Sequence, residues 1–273
     1  MKILRSALFV FAILAVAAYI AYCAQLWSVQ RSMMFPGAAM SAVPDQRDWP
    51  AQARQLVLGD AEHATHAIWL PAADGAEPRS TVIFLHGNAE FAYESVAAMS
   101  RLVGASRNLL SVEYPGYAGA PGAPTQDSIR AATTIAYDWL LTQPQVDAKR
   151  MVVIGRSIGG GPASELSRAR PLAAMVLIST FTSVADMAKS LYVPSFLIRD
   201  PFDNRAAVAE FKGPVLILHG RRDDVIPYAH GVALGQASPR AEFVTLACAH
   251  NDCAMDGEKL KQALANFLVT RRL

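Results

Sequence analysis

No segment of this 273-residue sequence concentrates lysine or arginine with interleaved aromatics, and the formal charge at pH 7 is only +2. The electrostatic footprint of a nucleic-acid-binding surface is therefore missing. Cysteine is scarce, and the three cysteines and six histidines show no CxxC, HxxxH or HExxH spacing, which leaves no metal-ligand pattern. What the chain has in quantity is hydrophobicity. Apolar residues make up 52% of the sequence, enough for one well-buried α/β domain at this length.

Charge is absent altogether from Ser6 to Gln30. Within that stretch Ala7 to Ala24, ALFVFAILAVAAYIAYCA, is an almost wholly apolar run of 18 residues. At about 1.5 Å per residue, extended through Leu26 and Trp27, it can cross a hydrocarbon core of roughly 30 Å. A cleaved signal peptide is the rival reading, because Lys2 and Arg5 form a basic leader and Ala21-Tyr22-Cys23 approximates a small-x-small cleavage site. The length of the apolar core, and Tyr19, Tyr22 and Trp27 near its end, favour an uncleaved anchor. Lys2 and Arg5 then place the N-terminus in the cytoplasm and the body on the extracytoplasmic side, the periplasm if the cell is bacterial. Residues 1–30 are read as the anchor. Residues 31–54, with four prolines or glycines and no clear period, are read as a juxtamembrane connector, and 55–273 as the catalytic domain.

In that domain, short apolar runs alternate with helix-compatible segments. Gln55–Leu58 and His66–Leu70 form an expected strand pair across a polar turn, with His63 and His66 as surface or strand-face residues. Strands are expected at Thr81–Leu85, Asn108–Tyr114, Met151–Ile154, Leu172–Ile178, Pro214–Leu218 and Glu242–Leu246. Helices are expected at Tyr93–Val103, Thr125–Leu141, Ile158–Arg168, Tyr228–Ala237 and Asp256–Thr270. This alternation predicts a mainly parallel sheet with helices on both faces. The loop Pro115–Pro124 is dense in proline and glycine and reads as a pocket wall. Residues 183–211 are irregular and apolar, either a short lid over an acyl pocket or packing between helices.

The chemistry centres on Met151 to Gly161, MVVIGRSIGGG. A buried strand runs into Gly155-Arg156-Ser157-Ile158-Gly159, the form of a sharp strand-to-helix turn that presents Ser157 as a nucleophile. Glycine at 155 and 159 removes the Cβ atoms that would clash there. The helix that follows directs N–H groups and its positive dipole end at the serine. His86-Gly87-Asn88-Ala89, after another strand, is placed to supply an oxyanion donor through the main chain of Asn88, with Ala89 second; Ile158 supplies the other. Further on, Asp223-Asp224 follows one strand end and His250 the next. The order Ser157, Asp223, His250 suits a triad in which imidazole accepts the serine proton and the carboxylate orients the imidazole. His86 precedes the serine and is expected to order its loop by hydrogen bonding; His219 and His230 are expected to be structural.

HGNA (86–89), EYPGYAGAPGAPT (113–125), GRSIGG (155–160), RDPFDN (199–204), HGRRDDVIP (219–227) and AHND (249–252) occur in this order. Together they resemble the α/β-hydrolase superfamily, in particular its membrane-anchored serine hydrolase branch, akin to serine aminopeptidase-like and dienelactone hydrolase-like groups. The resemblance implies Ser157 as nucleophile, Asp223 as acid, His250 as base, and an oxyanion hole from the main chain of Asn88 and Ile158. It also implies ester, thioester or amide substrates and no cofactor or metal. Two departures stand out: Ala118, where that branch usually has glycine, and Cys248, in a slot normally held by a small residue. Cys248 and Cys253 are expected to be two buried thiols, with a disulfide as the alternative. The leading expectation is an esterase acting on acyl or lipid-like substrates at a membrane; the alternatives are an aminopeptidase-type hydrolase and a non-catalytic binding protein on the same fold.

Overall fold

The computed structural model describes residues 2–40, 46–60, 64–73, 77–253 and 257–273. His63 and the expected start of the closing helix at Asp256 lie outside the described residues.

Eight strands form one sheet: β1 (Arg54–Leu58), β2 (Thr65–Leu70), β3 (Arg79–Leu85), β4 (Asn108–Val112), β5 (Val146–Arg156), β6 (Ala174–Ile178), β7 (Val215–Gly220) and β8 (Ala241–Leu246), in the order β1-β2-β4-β3-β5-β6-β7-β8. β1 and β2 are antiparallel to their neighbours, and the pairs from β4 to β8 are all parallel. The parallel strands are apolar runs because both of their faces are covered; β4 and β6 are buried at every position. The outermost β1, by contrast, is exposed at three of its five residues.

The helices are α1 (Lys2–Met34), α2 (Ala92–Val103), α3 (Gln126–Leu140), α4 (Gly160–Ala169), α5 (Val184–Met187), α6 (Asn204–Glu210), α7 (Tyr228–Gln236) and α8 (Glu258–Thr270). α2 and α8 pack together on one face of the sheet, and α3, α4, α6 and α7 form a continuous row on the other. Their ends follow local chemistry. α3 starts at a reciprocal cap in which Ser128 N–H donates to Thr125 Oγ1 at 3.0 Å and Thr125 N–H donates to Ser128 Oγ at 2.9 Å. Part of the expected lid segment belongs to the body of the fold. α6 lies in the helical row, so of the segment 183–211 it is α5, the single turns Ala188–Leu191 and Ser195–Leu197, and the chain to Ile198 that lie outside that row.

The chain leaves β3 to form β4 on one side of it and returns to form β5 on the other. Such a reversal opens a crevice at the carboxyl ends of the strands. β3, β5, β7 and β8 all end at this edge.

α1 is long and apolar enough to cross a membrane, and little of its apolar stretch is buried. Its last turn is different. The helix continues past Arg31 to Met34, into the stretch expected to be connector, because polar groups there bind the domain. Arg31 grips Asp200 with both Nε (2.7 Å) and Nη2 (3.1 Å). Gln30 donates to the Leu197 carbonyl at 3.0 Å and accepts from Arg199 N–H at 2.8 Å. Phe35, immediately beyond, is buried and meets Phe202 edge to face. The Asp200 side chain is only 2% exposed, and its Oδ1 also accepts the Gln126 N–H at 2.8 Å. Removing the guanidinium would leave a buried charge without its counterion. Arg31→Met is expected to destabilise the domain by about 2–3 kcal/mol, read as a lower urea midpoint of the detergent-solubilised protein at an unchanged slope.

Candidate active site

Ser157 sits at the end of β5, where a single 3-10 turn, Ser157–Gly159, leads into α4. Its backbone is left-handed, φ 53°, a conformation that costs a residue with a Cβ about 1–2 kcal/mol. The turn closes because a Cβ at Gly155 would strike the Gly159 carbonyl, and one at Gly159 would strike the carbonyls of Leu85 and His86. Thr180 Oγ1 donates to the Ser157 carbonyl at 2.7 Å, and Asn204 backs that loop by donating to the Phe181 carbonyl at 2.9 Å.

Ser157 Oγ is 2.9 Å from His250 Nε2, and His250 Nδ1 is 2.8 Å from Asp223 Oδ2. The fold thus brings together three residues that stand on separate loops after β5, β7 and β8. The Asp223 side chain is fully buried. Its second oxygen accepts from Val225 N–H at 3.0 Å and Ile226 N–H at 2.7 Å, so the carboxylate cannot rotate away from the imidazole. Asp224 plays another part, accepting the His250 main-chain N–H at 3.3 Å. His219 lies beside the acid, its Nε2 3.3 Å from Asp223 Oδ2 and 2.9 Å from the Ile226 carbonyl. Burial pushes the His219 pKa down, so this ring stays neutral and does not compete with His250 as a cation for the carboxylate. His230 is likewise held down by burial; its Nδ1 accepts the Thr182 N–H at 3.2 Å and serves the lid root.

Asn88 lies on the loop after β3, and Ile158 follows Ser157 in the turn that leads into α4. Ile158 contributes one of the N–H groups that open a helix without an intrahelical carbonyl. Asn88 is fixed from several directions. His86 Nδ1 donates to the Gly87 carbonyl at 2.8 Å, the other end of the peptide whose N–H belongs to Asn88. The His86 ring is held in turn by Glu113, 2.8 Å from Nε2, and stacks on Tyr114. The Asn88 carbonyl accepts from Tyr117 Oη at 2.8 Å and from Gly37 N–H at 3.3 Å. Gly37 belongs to the segment that follows α1, so the base of the N-terminal helix reaches this loop. Neither contact carries a sequence signature, because both join residues far apart in the chain. Arg156 and Glu90 form a further pair that sequence reasoning missed. Arg156 is largely buried and ion-paired with Glu90, and Glu90 Oε2 also accepts the Gly87 N–H at 2.7 Å. A charged residue between Gly155 and Ser157, inside an otherwise apolar strand end, was the available clue.

Cys248 and Cys253 are bonded to one another, which corrects the expectation of two buried thiols. The turn around His250 brings their Cα atoms to 5.0 Å, inside the range a disulfide spans. Cys23 is the free cysteine. Ala118, in the loop after β4, has φ 45°. That left-handed conformation is one glycine adopts without strain. Among the described residues no group of three or more His, Cys, Asp or Glu side chains is arranged to hold a metal ion.

No family model matches the chain. It is 30% identical over 256 residues to an uncharacterized protein of Mycobacterium tuberculosis, across 89% of this chain and 88% of that protein. It is 30% identical over 198 residues to alpha/beta hydrolase domain-containing protein 17B of Homo sapiens, across 69% and 67% of the two chains. Among solved structures, Est1E from Butyrivibrio proteoclasticus with ferulic acid bound is similar with a TM-score of 0.68 at 16% identity, covering 80% of this chain and 99% of that one. An esterase of Pyrococcus furiosus gives 0.65 at 17%, covering 86% and 97%.

Three outcomes are expected. Thiol labelling under denaturing, non-reducing conditions modifies Cys23 alone, and the Cys248→Ser/Cys253→Ser variant loses about 2 kcal/mol of stability in a urea titration, the closure entropy of so short a loop. His86→Leu lowers kcat on a soluble butyrate ester by about tenfold to a hundredfold, part of the full value of an oxyanion donor, with KM nearly unchanged; a rise in KM at constant kcat would place His86 in substrate binding instead.

Proposed function

The chain belongs to the α/β-hydrolase family, and on that premise we propose that it is a membrane-tethered serine hydrolase of carboxylic esters or thioesters, working through a covalent acyl-enzyme. The observation that carries this reading is the continuous hydrogen-bonded relay from Ser157 through His250 to a buried, immobilised Asp223. Ser157 Oγ attacks the acyl carbon as its proton passes to His250 Nε2, and Asp223 stabilises the imidazolium that forms. The carbonyl oxygen becomes an oxyanion and accepts from the main-chain N–H groups of Asn88 and Ile158. As the tetrahedral intermediate collapses, the bond to the leaving oxygen or sulfur breaks, and His250 returns the proton to that atom. Water then attacks the acyl-serine with the same assistance, releasing the acid and restoring the Ser157 hydroxyl. Every proton and electron pair in this sequence is supplied by substrate, water or these residues, so the reading calls for no cofactor.

An aminopeptidase would also need a carboxylate to receive a free amine. Acids on the loops around the triad are already engaged, Glu90 by Arg156, Glu113 by His86, Asp224 by the His250 main chain and Asp252 by the Ala249 N–H, which favours ester over peptide substrates. The apolar α1, with Lys2 and Arg5 in its first turns, supports residues 1–30 as an anchor with a cytoplasmic N-terminus and the catalytic domain, 55–273, on the extracytoplasmic side. The Cys248–Cys253 bond suits such an oxidising compartment.

A fluorophosphonate probe is expected to label the full chain in membrane fractions, with labelling lost in Ser157→Ala. On p-nitrophenyl butyrate, Asp223→Asn should lower kcat by about four orders of magnitude, whereas Asp224→Asn should retain most of it. Undiminished turnover in Ser157→Ala would overturn the mechanism.

A further inference from the structure

Between the lower part of α1 and the lid lies a cavity of about 410 Å³, within the range of small-molecule sites. Trp27 and Met34 of α1 form one wall, Met187, Leu191 and Ile198 of the lid form the other, and Val225 closes the end. Val225 stands two residues past Asp223, whose Oδ1 accepts its N–H at 3.0 Å, so the cavity reaches the loop that carries the acid. Among the lining residues Gln30 carries the one amide side chain and Trp27 an indole N–H. The Gln30 amide is spent on the Leu197 carbonyl and the Arg199 N–H, leaving a surface that offers mainly hydrocarbon contacts.

The α1 wall of this cavity begins at Leu26, 19 residues past Ala7 and so about 28 Å along the axis, which puts its opening at the outer edge of a hydrocarbon core of roughly 30 Å, while the lid tip reaches deeper. Tyr19 Oη donates to the Tyr192 carbonyl at 2.7 Å, and Tyr22 Oη to the Leu191 carbonyl at 3.0 Å. The tip of the lid is therefore fastened beside Tyr19, which lies 12 residues past Ala7. In a span that starts at Ala7, that point is about 18 Å along the axis, inside a hydrocarbon core of roughly 30 Å. The same tip exposes Tyr192 at 82% and Phe196 at 83%. At that depth two bare aromatics meet hydrocarbon, which suits their apolar rings far better than water. A second apolar cavity, of about 450 Å³, lies across Trp27 and shares Leu197 and Phe196's side of the lid, so lipid-facing apolar surface flanks the helix on both sides.

We propose that the cavity between α1 and the lid is the acyl site of the enzyme, that it takes the long acyl chain of a bilayer lipid ester directly from the leaflet on the catalytic side, and that the membrane helix is itself one wall of the substrate site. This rests on the serine hydrolase reading and on α1 crossing the bilayer.

The test uses the full chain in phosphatidylcholine vesicles, with p-nitrophenyl butyrate as short substrate and a palmitoyl glyceride in the bilayer as long one. Ala188→Trp and Val193→Trp each introduce bulk into the cavity lining, and each is expected to lower the palmitoyl-to-butyryl ratio of kcat/KM at least tenfold. A ratio unchanged in both variants overturns the site. Tyr192→Ser/Phe196→Ser should lower hydrolysis of the vesicle-embedded glyceride at least fivefold relative to the same glyceride in detergent; equal loss in both overturns entry from the bilayer. Turnover of an S-palmitoyl peptide with the glyceride inert overturns the lipid assignment. If wild type neither hydrolyses butyrate nor labels at Ser157, the hydrolase reading fails and the proposal with it, an outcome distinct from retained butyrate turnover with no chain-length dependence.

Discussion

Ser157 holds a left-handed backbone between β5 and α4, and it can do so only because no Cβ stands at Gly155 or Gly159. The strain is offset by the packing around it, where β3 and β6 are buried along almost their whole length, β5 is buried from Met151 to Gly155 and Thr180 holds the Ser157 carbonyl. With the serine fixed at the carboxyl edge, the other groups need only stand on neighbouring strand ends. β7 and β8 bring Asp223 and His250, and β3 brings the Asn88 loop. Displacing this turn would separate the hydroxyl from the imidazole it bonds.

The second constraint comes from the N-terminal helix. An apolar helix on a flexible connector would be a tether and nothing more. Here the last turn of α1 is joined to the domain by a bidentate ion pair with buried Asp200, and the residues just beyond it touch the Asn88 carbonyl. Asp200 in turn holds the start of α3, and Gln126 there accepts the Phe202 N–H. α1, the 197–202 segment, the start of α3 and the Asn88 loop are thus joined by hydrogen bonds, which set the orientation of the carboxyl edge of the sheet relative to the helix axis. It also explains why helix continues past Arg31, where proline and glycine content alone suggests a loop.

Some features were legible in the residues and others were not. Buried parallel strands announce themselves as short apolar runs, because a strand covered on both faces has no reason to alternate. The turn at Ser157 is legible because its geometry demands glycine at fixed offsets. Selecting Asp223 over Asp224 could be expected but not secured from sequence, since adjacent side chains in a turn diverge, and the geometry that separates them is tertiary. The Cys248–Cys253 pairing ran against expectation, because whether two cysteines five residues apart meet depends on how the turn between them closes. Glu90 with Arg156, His86 with Gly87, and Gly37 with Asn88 act through a three-dimensional neighbourhood that no local pattern encodes.

The sequence by itself determined the fold class, the strand-end positions of serine, acid and histidine, and a helix apolar enough for a bilayer, because each depends on local periodicity, on glycine where backbones cross closely, or on chain order. Tertiary structure alone decided which carboxylate meets the imidazole, what holds the Asn88 peptide in place, that α6 joins the helical row and how α1 sits against the 183–198 segment. Those outcomes depend on contacts between distant residues whose energies are set by burial and by hydrogen-bond geometry, and neither exists until the chain has packed.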